Sequence, residues 1–243
     1  MPTPTTPDRP VPSAADLPAA VLWDMDGTLV DTEPVWWAAE RALVEAHGGT
    51  WSDEQALALV GSQLEVSAEV LRVEGGVDLP VPEVIEVLAA SVVADLVKGP
   101  RWRPGARELV AELAEAGVPQ ALVTMSWRHI ADAMLGHLPE GTFAAVVTGD
   151  VCERGKPHPE PYLRAAAALG LRPEDCLAVE DSPTGVASAA AAGVPVVAVP
   201  HAVVVPARPG VAVVGSLAGM STGDLAEVRR GVLDAEGAPP QGD

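Results

Sequence analysis

Five short apolar runs, set apart by stretches of helical composition, constrain this chain more than any other feature. They are Ala19–Trp23, Gln120–Val123, Ala144–Val147, Cys176–Val179 and Pro195–Val199. Ala106–Ala116, Arg128–Leu135, Pro159–Leu169 and Thr184–Ala192 lie between them and have helical composition. Unbroken apolar runs mark strands buried on both faces, and strand–helix alternation predicts a parallel sheet covered by helices. The fold class expected is therefore α/β, with a Rossmann-like parallel sheet at its core. Local punctuation agrees. Gly117 and Gly193 sit where helix C-caps belong, each with a Pro two residues on. Ser182 followed by Pro183 reads as an N-cap and first helical residue.

Residues 34–98 break the alternation. They carry helical patterns at Val35–His47, Asp53–Val60, Leu64–Val73 and Val81–Val97, with little strand signal. The block falls between the first strand and the rest of the sheet, so it reads as an inserted all-helical domain. Its hinges are expected near Glu33–Pro34 and Lys98–Pro104. The core is then 19–33 together with 99–243, the last twenty or so residues forming a loose tail. Residues 1–18, rich in Pro and Thr without an apolar run, read as a disordered leader and not as a signal peptide or anchor.

The formal net charge of -19 argues against nucleic acid or an anionic membrane surface as partner. It also poses a problem, because an acidic protein that binds a phosphate needs local cations. Gly185–Ala207 carries no Asp, Glu, Lys or Arg, but Gly193, Pro195, Pro200 and Pro206 interrupt it too often for a membrane span. Two cysteines, Cys152 and Cys176, fit a reduced cytoplasmic protein without a disulfide framework. A monomer or small homo-oligomer is expected.

Four polar signals each follow an apolar run. Asp24-Met25-Asp26-Gly27-Thr28 follows the first, Thr124 the second and Glu180-Asp181 the fourth, while Lys156 lies in the loop after the third. In a parallel sheet the carboxyl ends of the strands share one edge, where ligands bind. Three or four carboxylates, a hydroxyl and an ammonium should therefore converge in one crevice. Carboxylates so gathered repel unless a hard cation joins them, and Mg2+ held by a few carboxylates and a substrate phosphate fits best. Such a cation and Lys156 would resolve the problem of an acidic protein that binds an anion. The chain has 13 Arg against only Lys98 and Lys156, so Lys156 calls for a reason; a compact point charge beside a phosphoryl group is one.

With these motifs in order the chain resembles the haloacid dehalogenase superfamily phosphatases that carry a helical cap after the first motif. The resemblance spans roughly residues 19–215. It rests on "DMDGTLVDTEP" from Asp24, Thr124 in "LVTMS", Lys156 in "GKPHPEPY" and Glu180-Asp181 in "EDSPTGVASAAAAG". The resemblance implies a phosphatase of small phosphorylated metabolites, sugar phosphates foremost. Asp24 would attack phosphorus, and Asp26 would protonate the leaving oxygen and then activate water. Thr124 would hydrogen-bond a phosphoryl oxygen, and Lys156 would neutralise charge on the nucleophile and transferring group. Mg2+ would be held by Asp24, Asp181 and the backbone carbonyl of Asp26. Glu180 would be an outer ligand or the partner that orients Lys156. Trp36, Gly61, Ser62, Gln63 and Ser126 are the candidate substrate-binding residues.

The blander readings are a turn-forming Asp, an ordinary strand-end Thr and a plain interhelical turn at Gly61-Ser62-Gln63. Asp31 would cap or hydrogen-bond the turn into the first inserted helix. Trp36 and Trp37 are adjacent and should point different ways, one into the insertion core and one toward substrate. The five histidines lack metal-ligand spacing and read as surface or loop residues, with His129 at the edge of the site. Competing functions are a β-phosphoglucomutase-like phosphotransferase and a non-catalytic phospho-acceptor signalling module. Dehalogenation would need no acid at Asp26, and phosphonate hydrolysis would need an inward lysine that the insertion lacks unless Lys98 supplies it. Against a mutase, the segment from Pro34 to Lys98 holds Arg41, Arg72 and Lys98 against 11 acidic residues. Trp36 also stands where the mutases carry a histidine, twelve residues after the nucleophile.

Overall fold

A computed structural model of the chain describes residues 17–237. Six strands form one sheet: β1 (Ala20–Trp23), β2 (Gln120–Val123), β3 (Ala145–Val147), β4 (Cys176–Glu180), β5 (Val196–Ala198) and β6 (Val211–Val213). Their order is β3-β2-β1-β4-β5-β6, and every pairing is parallel. The order reverses direction between β1 and β4, so the crevice beyond their carboxyl ends is the natural ligand site. Trp23 is in register with Leu122 of β2 and Val179 of β4, which places the residues after these strands side by side.

Nine α-helices complete the described residues. Four lie between β1 and β2: α1 (Glu33–Ala46), α2 (Asp53–Ala58), α3 (Leu64–Val73) and α4 (Val81–Lys98). The other five are α5 (Ala106–Glu115), α6 (Arg128–Leu135), α7 (Glu160–Ala168), α8 (Pro183–Ala191) and α9 (Thr222–Gly237). The alternation of β1 explains the layering. Val21 and Trp23 join Leu109 and Leu113 of α5, Ile130 and Met134 of α6 and Leu225 of α9 in one core. Ala20 and Leu22 face the opposite core, with Tyr162, Ala165 and Ala166 of α7 and Val186 and Ala189 of α8. A polar chain crosses the first core without loss: Trp23 Nε1 donates to Gln120 Oε1 at 2.9 Å, and Gln120 Nε2 donates to Val110 O at 2.9 Å.

Val44, Leu71, Ile85, Leu88 and Val92 pack the inserted helices together, in an apolar cluster continuous with that of Val21 and Trp23. Ser52 begins α2 with a capping box closed by Gln55. The chain enters and leaves the insertion through paired segments. Asp31 N donates to Arg101 O at 2.8 Å and Arg103 N to Leu29 O at 2.8 Å, with Arg101 Nη2 on Asp31 O at 2.9 Å. Val30 and Trp102 form an antiparallel bridge there.

The strands and helices expected from sequence form within a residue or two, and Ser182 caps α8 by accepting from Gly185 N at 3.1 Å. Two elements were not anticipated. The first, β6, is short and partly exposed. The second, α9, replaces the loose tail expected near the C-terminus as far as Gly237; Leu225, Ala226 and Val232 bury one stripe of it. The expected disordered leader lies outside the described residues, except for Leu17 and Pro18. Cys152 and Cys176 are free thiols. No described helix is long and apolar enough to cross a membrane.

Candidate active site

Asp24 follows β1 and is fixed by its backbone, whose N–H donates to Val179 O at 3.1 Å. Its Oδ1 accepts from Lys156 Nζ at 2.7 Å. The same ammonium donates to Glu180 Oε1 at 2.6 Å and Val123 O at 2.9 Å, which uses all three of its protons. Lys156 therefore sits buried among strand-end acceptors of β1, β2 and β4, brought in from the loop between β3 and α7. Its charge is retained, because the adjacent Asp24 and Glu180 raise its pKa further than burial lowers it. Burial pushes the Asp24 carboxyl up to about 7 against the pull of Lys156.

Glu180 is fully buried. Its Oε1 also accepts from Tyr162 Oη at 2.6 Å, and its Oε2 accepts from Asp181 N at 3.2 Å and Ser182 Oγ at 3.4 Å. Both oxygens are engaged, so the geometry suits Glu180 to orienting Lys156. Gly185, in the first turn of α8, lies so close that any Cβ would overlap this carboxylate.

Asp24 Oδ2 and Asp181 Oδ2 are buried without a hydrogen-bond partner. Ligand atoms of Asp24, Glu180 and Asp181 lie within 4.8 Å of one another. Burial, and then the charges of Asp24 and Glu180, push Asp181 well above the usual carboxylate range. Hard oxygen donors with free lone pairs and mutual repulsion fit a divalent cation such as Mg2+. Gly27, at φ +82, turns the chain beneath this group, and a Cβ there would strike Asp181 and Glu33.

Asp26 is half-buried. Its Oδ1 accepts from Thr32 Oγ1 at 2.5 Å and Trp36 Nε1 at 3.2 Å. Its Oδ2 accepts from Ser126 Oγ at 2.8 Å and Thr124 Oγ1 at 3.3 Å. Thr124 Oγ1 in turn accepts from Ser126 N at 3.0 Å. Thr124 is fully buried here, and its one hydroxyl proton must turn from Asp26 before it can reach a phosphoryl oxygen.

A cavity joins this edge to the insertion. Asp24, Asp26, Ser126, Lys156 and Asp181 line it, and so do Gly61 and Ser62, with Gly61 close against Ser182. Trp36 and Trp37 both line it, contrary to the expectation that one would pack away; the wall of α1 is broad enough for two neighbouring indoles. Gln63 does not line it. That residue is the N-cap of α3, with its side chain lying over Gly155 beside Lys156. Asp31 does not cap α1: its Oδ1 lies 3.0 Å from His201 Nε2, and Thr32 holds the N-cap position. His201 is thus part of the hinge and not a free surface residue. His129 is exposed and packs edge-on to Trp127. Sequence reasoning missed Tyr162, Glu33 and Glu40. Tyr162 could have been flagged as the single tyrosine of the chain, placed within the Lys156 motif.

A parallel sheet with a carboxylate-rich strand edge beneath inserted helices defines a doubly wound α/β enzyme class. The family model for haloacid dehalogenase-like hydrolases matches residues 21–199, and the chain belongs to that family. It is an enzyme, a phosphoric monoester hydrolase. It is 35% identical to hexitol phosphatase A of Escherichia coli over 193 residues, covering 73% of this chain and 81% of that one. A mutant CbbY from Rhodobacter sphaeroides, crystallised with xylulose-(1,5)bisphosphate, superposes with a TM-score of 0.76 at 26% identity, covering 86% of this chain and 99% of that one. The β-phosphoglucomutase of Clostridium difficile shares the fold, with a TM-score of 0.75 at 20% identity, covering 90% of this chain and 100% of that one.

Proposed function

We propose that the enzyme is a Mg2+-dependent phosphatase of small phosphorylated metabolites, sugar phosphates foremost, that works through a phospho-aspartate on Asp24. The observation that carries this reading is the convergence of Asp24, Lys156 and Asp181 at one buried edge, with carboxylate oxygens left unpaired. Related phosphatases of phosphorylated carbohydrates support the substrate class.

In this mechanism a carboxylate oxygen of Asp24 bonds to phosphorus as the ester P–O bond breaks. Asp26 gives its proton to the leaving alkoxide. The resulting Asp26 carboxylate then takes a proton from the water that attacks phosphorus, which frees Asp24 and inorganic phosphate. Lys156 stays protonated throughout and offsets charge on Asp24 and the transferring group. Glu180 and Tyr162 hold Lys156 in place. Asp24, Asp181 and the Asp26 carbonyl would hold Mg2+, whose charge lowers repulsion between carboxylate and phosphate. Asp26 must leave its four donors to meet the leaving oxygen, and this frees Thr124 and Ser126 to meet the phosphate.

Hydrolysis is favoured over a mutase reaction by the charges of the insertion. Arg41 pairs with Asp53 and Arg72 with Glu69 at the surface, Lys98 is exposed, and none of the three lines the cavity. A bisphosphate intermediate would find no cation there for its second phosphate. The test is acid quenching with radiolabelled substrate. The label should be trapped covalently on the wild type and be absent from Asp24→Asn, whose turnover should fall at least about a thousandfold. Turnover without covalent label, or faster appearance of hexose 6-phosphate than of free phosphate from hexose 1-phosphate, would overturn the reading.

A further inference from the structure

The cavity has a second end, and its chemistry differs from the phosphate end. Four residues of α1 line the cavity: Glu33 beside Gly27 and Asp181, Trp36 on Asp26, and Trp37 and Glu40, of which Glu40 lies furthest along the helix. They fall at i, i+3, i+4 and i+7 on α1, so they form one stripe along a single helix face. Leu59, Leu64 and Leu88 supply apolar wall. Among the described lining residues Lys156 is the one cation, and its protons are committed to Asp24, Glu180 and Val123 O.

The two carboxyls of this stripe are nonetheless buried, each residue being 5% exposed. Glu40 accepts from Trp51 Nε1 at 3.1 Å. Glu33 Oε2 is buried with no hydrogen-bond partner; the nearest basic group is His201 Nε2 at 3.6 Å, behind the cavity wall at the hinge. Burial pushes the Glu40 carboxyl up to about 7. Glu33 has His201 as a basic neighbour, whereas Glu40 is held by an indole N–H; a buried carboxyl without a cation costs free energy, and a cationic ligand group would remove that cost. The adjacent indoles attract cations as well. An anion beside Glu40 would meet an acid, and no Lys or Arg other than Lys156 lines the cavity among the described residues.

We propose that the leaving group of the natural substrate is a hydroxylated skeleton bearing a protonated amine, received by Glu40 beside Trp36 and Trp37. The inference rests on the phosphatase reading above and narrows its substrate class. Helix geometry sets the size. Glu33 lies beside the phosphate end, and Glu40 lies two turns further along α1, about 10 Å away along the axis. That span suits a sugar-sized skeleton between ester oxygen and amine, and it is too long for a two-carbon amino alcohol.

The test compares kcat/KM, with Mg2+ present, for the 6-phosphates of glucosamine, glucose and N-acetylglucosamine, for 6-phosphogluconate and for an aryl phosphate. The expected order is amine above neutral above anion, with glucosamine 6-phosphate preferred over its neutral counterparts by about tenfold or more. Glu40→Gln keeps an acceptor for Trp51 and should bring the amine-to-neutral ratio close to one. Equal or better turnover of the neutral or anionic esters by the wild type would overturn the proposal and leave the phosphatase reading intact, as would an unchanged ratio in Glu40→Gln. Turnover of the aryl phosphate alone would have the same effect. Failure on every ester, the aryl phosphate included, would overturn the phosphatase reading and the inference with it. The wild-type ratios decide the matter even if the variant does not fold.

Discussion

Trp36 Nε1 donates to Asp26 Oδ1 across 3.2 Å, which ties the first inserted helix to the proposed acid–base residue. An indole N–H can only donate, so this contact requires an acceptor lone pair on that oxygen. Trp36→Phe keeps most of the bulk and removes the donor. A loss of about 1 kcal/mol is expected, or about fivefold in kcat/KM for an alkyl phosphate. An aryl phosphate, which needs little help from Asp26, should lose less. Equal losses on the two substrates in steady-state assays would mean that Trp36 acts only by shape.

Asp26→Asn should separate the two steps of the reaction. It keeps the four donors partly satisfied, so the melting temperature should stay within a few degrees. Dephosphorylation of the enzyme should slow at least about a hundredfold. Formation of the phospho-enzyme from an aryl phosphate should slow far less, so labelled intermediate should accumulate. Rapid-quench measurement of both steps checks this, and failure to accumulate the intermediate would remove Asp26 from the role of base.

Chelation should abolish turnover and Mg2+ should restore it, with Ca2+ a poor substitute because its looser coordination misplaces the attacking oxygen. A second readout does not depend on activity. Asp24 Oδ2 and Asp181 Oδ2 are unpaired in a buried, repulsive setting, so added Mg2+ should raise the melting temperature in proportion to the logarithm of its concentration above Kd. Asp181→Asn should flatten that dependence. A melting temperature indifferent to Mg2+ would count against this cluster as the metal site.

Glu40 supplies a pH prediction. Burial raises its carboxyl from the ordinary 4.5 to about 7, so the folded state holds the proton more tightly than the unfolded state. The stabilisation this gives is fully present below about pH 4.5 and is lost as pH rises to about 7. Glu40→Gln cannot lose it. The variant should therefore gain on the wild type as pH rises, by up to about 3 kcal/mol at pH 8. Denaturant melts of both proteins at pH 5 and pH 8 measure the difference. A constant gap across that range would mean that Glu40 titrates normally in the folded enzyme.

The sheet was legible because β1, β2 and β4 are buried on both faces and read as unbroken apolar runs. β6 was not, because Val211–Val213 is three residues long and partly exposed, so it lacks that signature. α9 escaped because its buried stripe is thin and Gly231 interrupts it. Asp24, Asp26, Lys156 and Asp181 were legible from their positions after strands, where a parallel sheet brings distant residues together. Glu33 and Glu40 carry no such marker. They look like ordinary acids on an amphipathic helix, and only the tertiary packing of α1, chiefly against α4, turns them inward. The pairing of Asp31 with His201, 170 residues apart, is likewise a product of tertiary packing that no local turn pattern encodes.

The paired entry and exit of the insertion, with Asp31 and Arg101 bonded through their backbones, has a consequence for how such an enzyme diversifies. The two chain crossings of the helical insertion run side by side, and the insertion also rests on the core, through α4 against α6 and through Glu65 on Trp127. A different unit joined at the same two residues would leave the strand order as it is, but would have to supply its own donor to Asp26 in place of Trp36. On the proposed reading, recombination at those crossings would exchange the cavity wall supplied by α1 while Asp24, Thr124, Lys156 and Asp181 stay on the sheet edge.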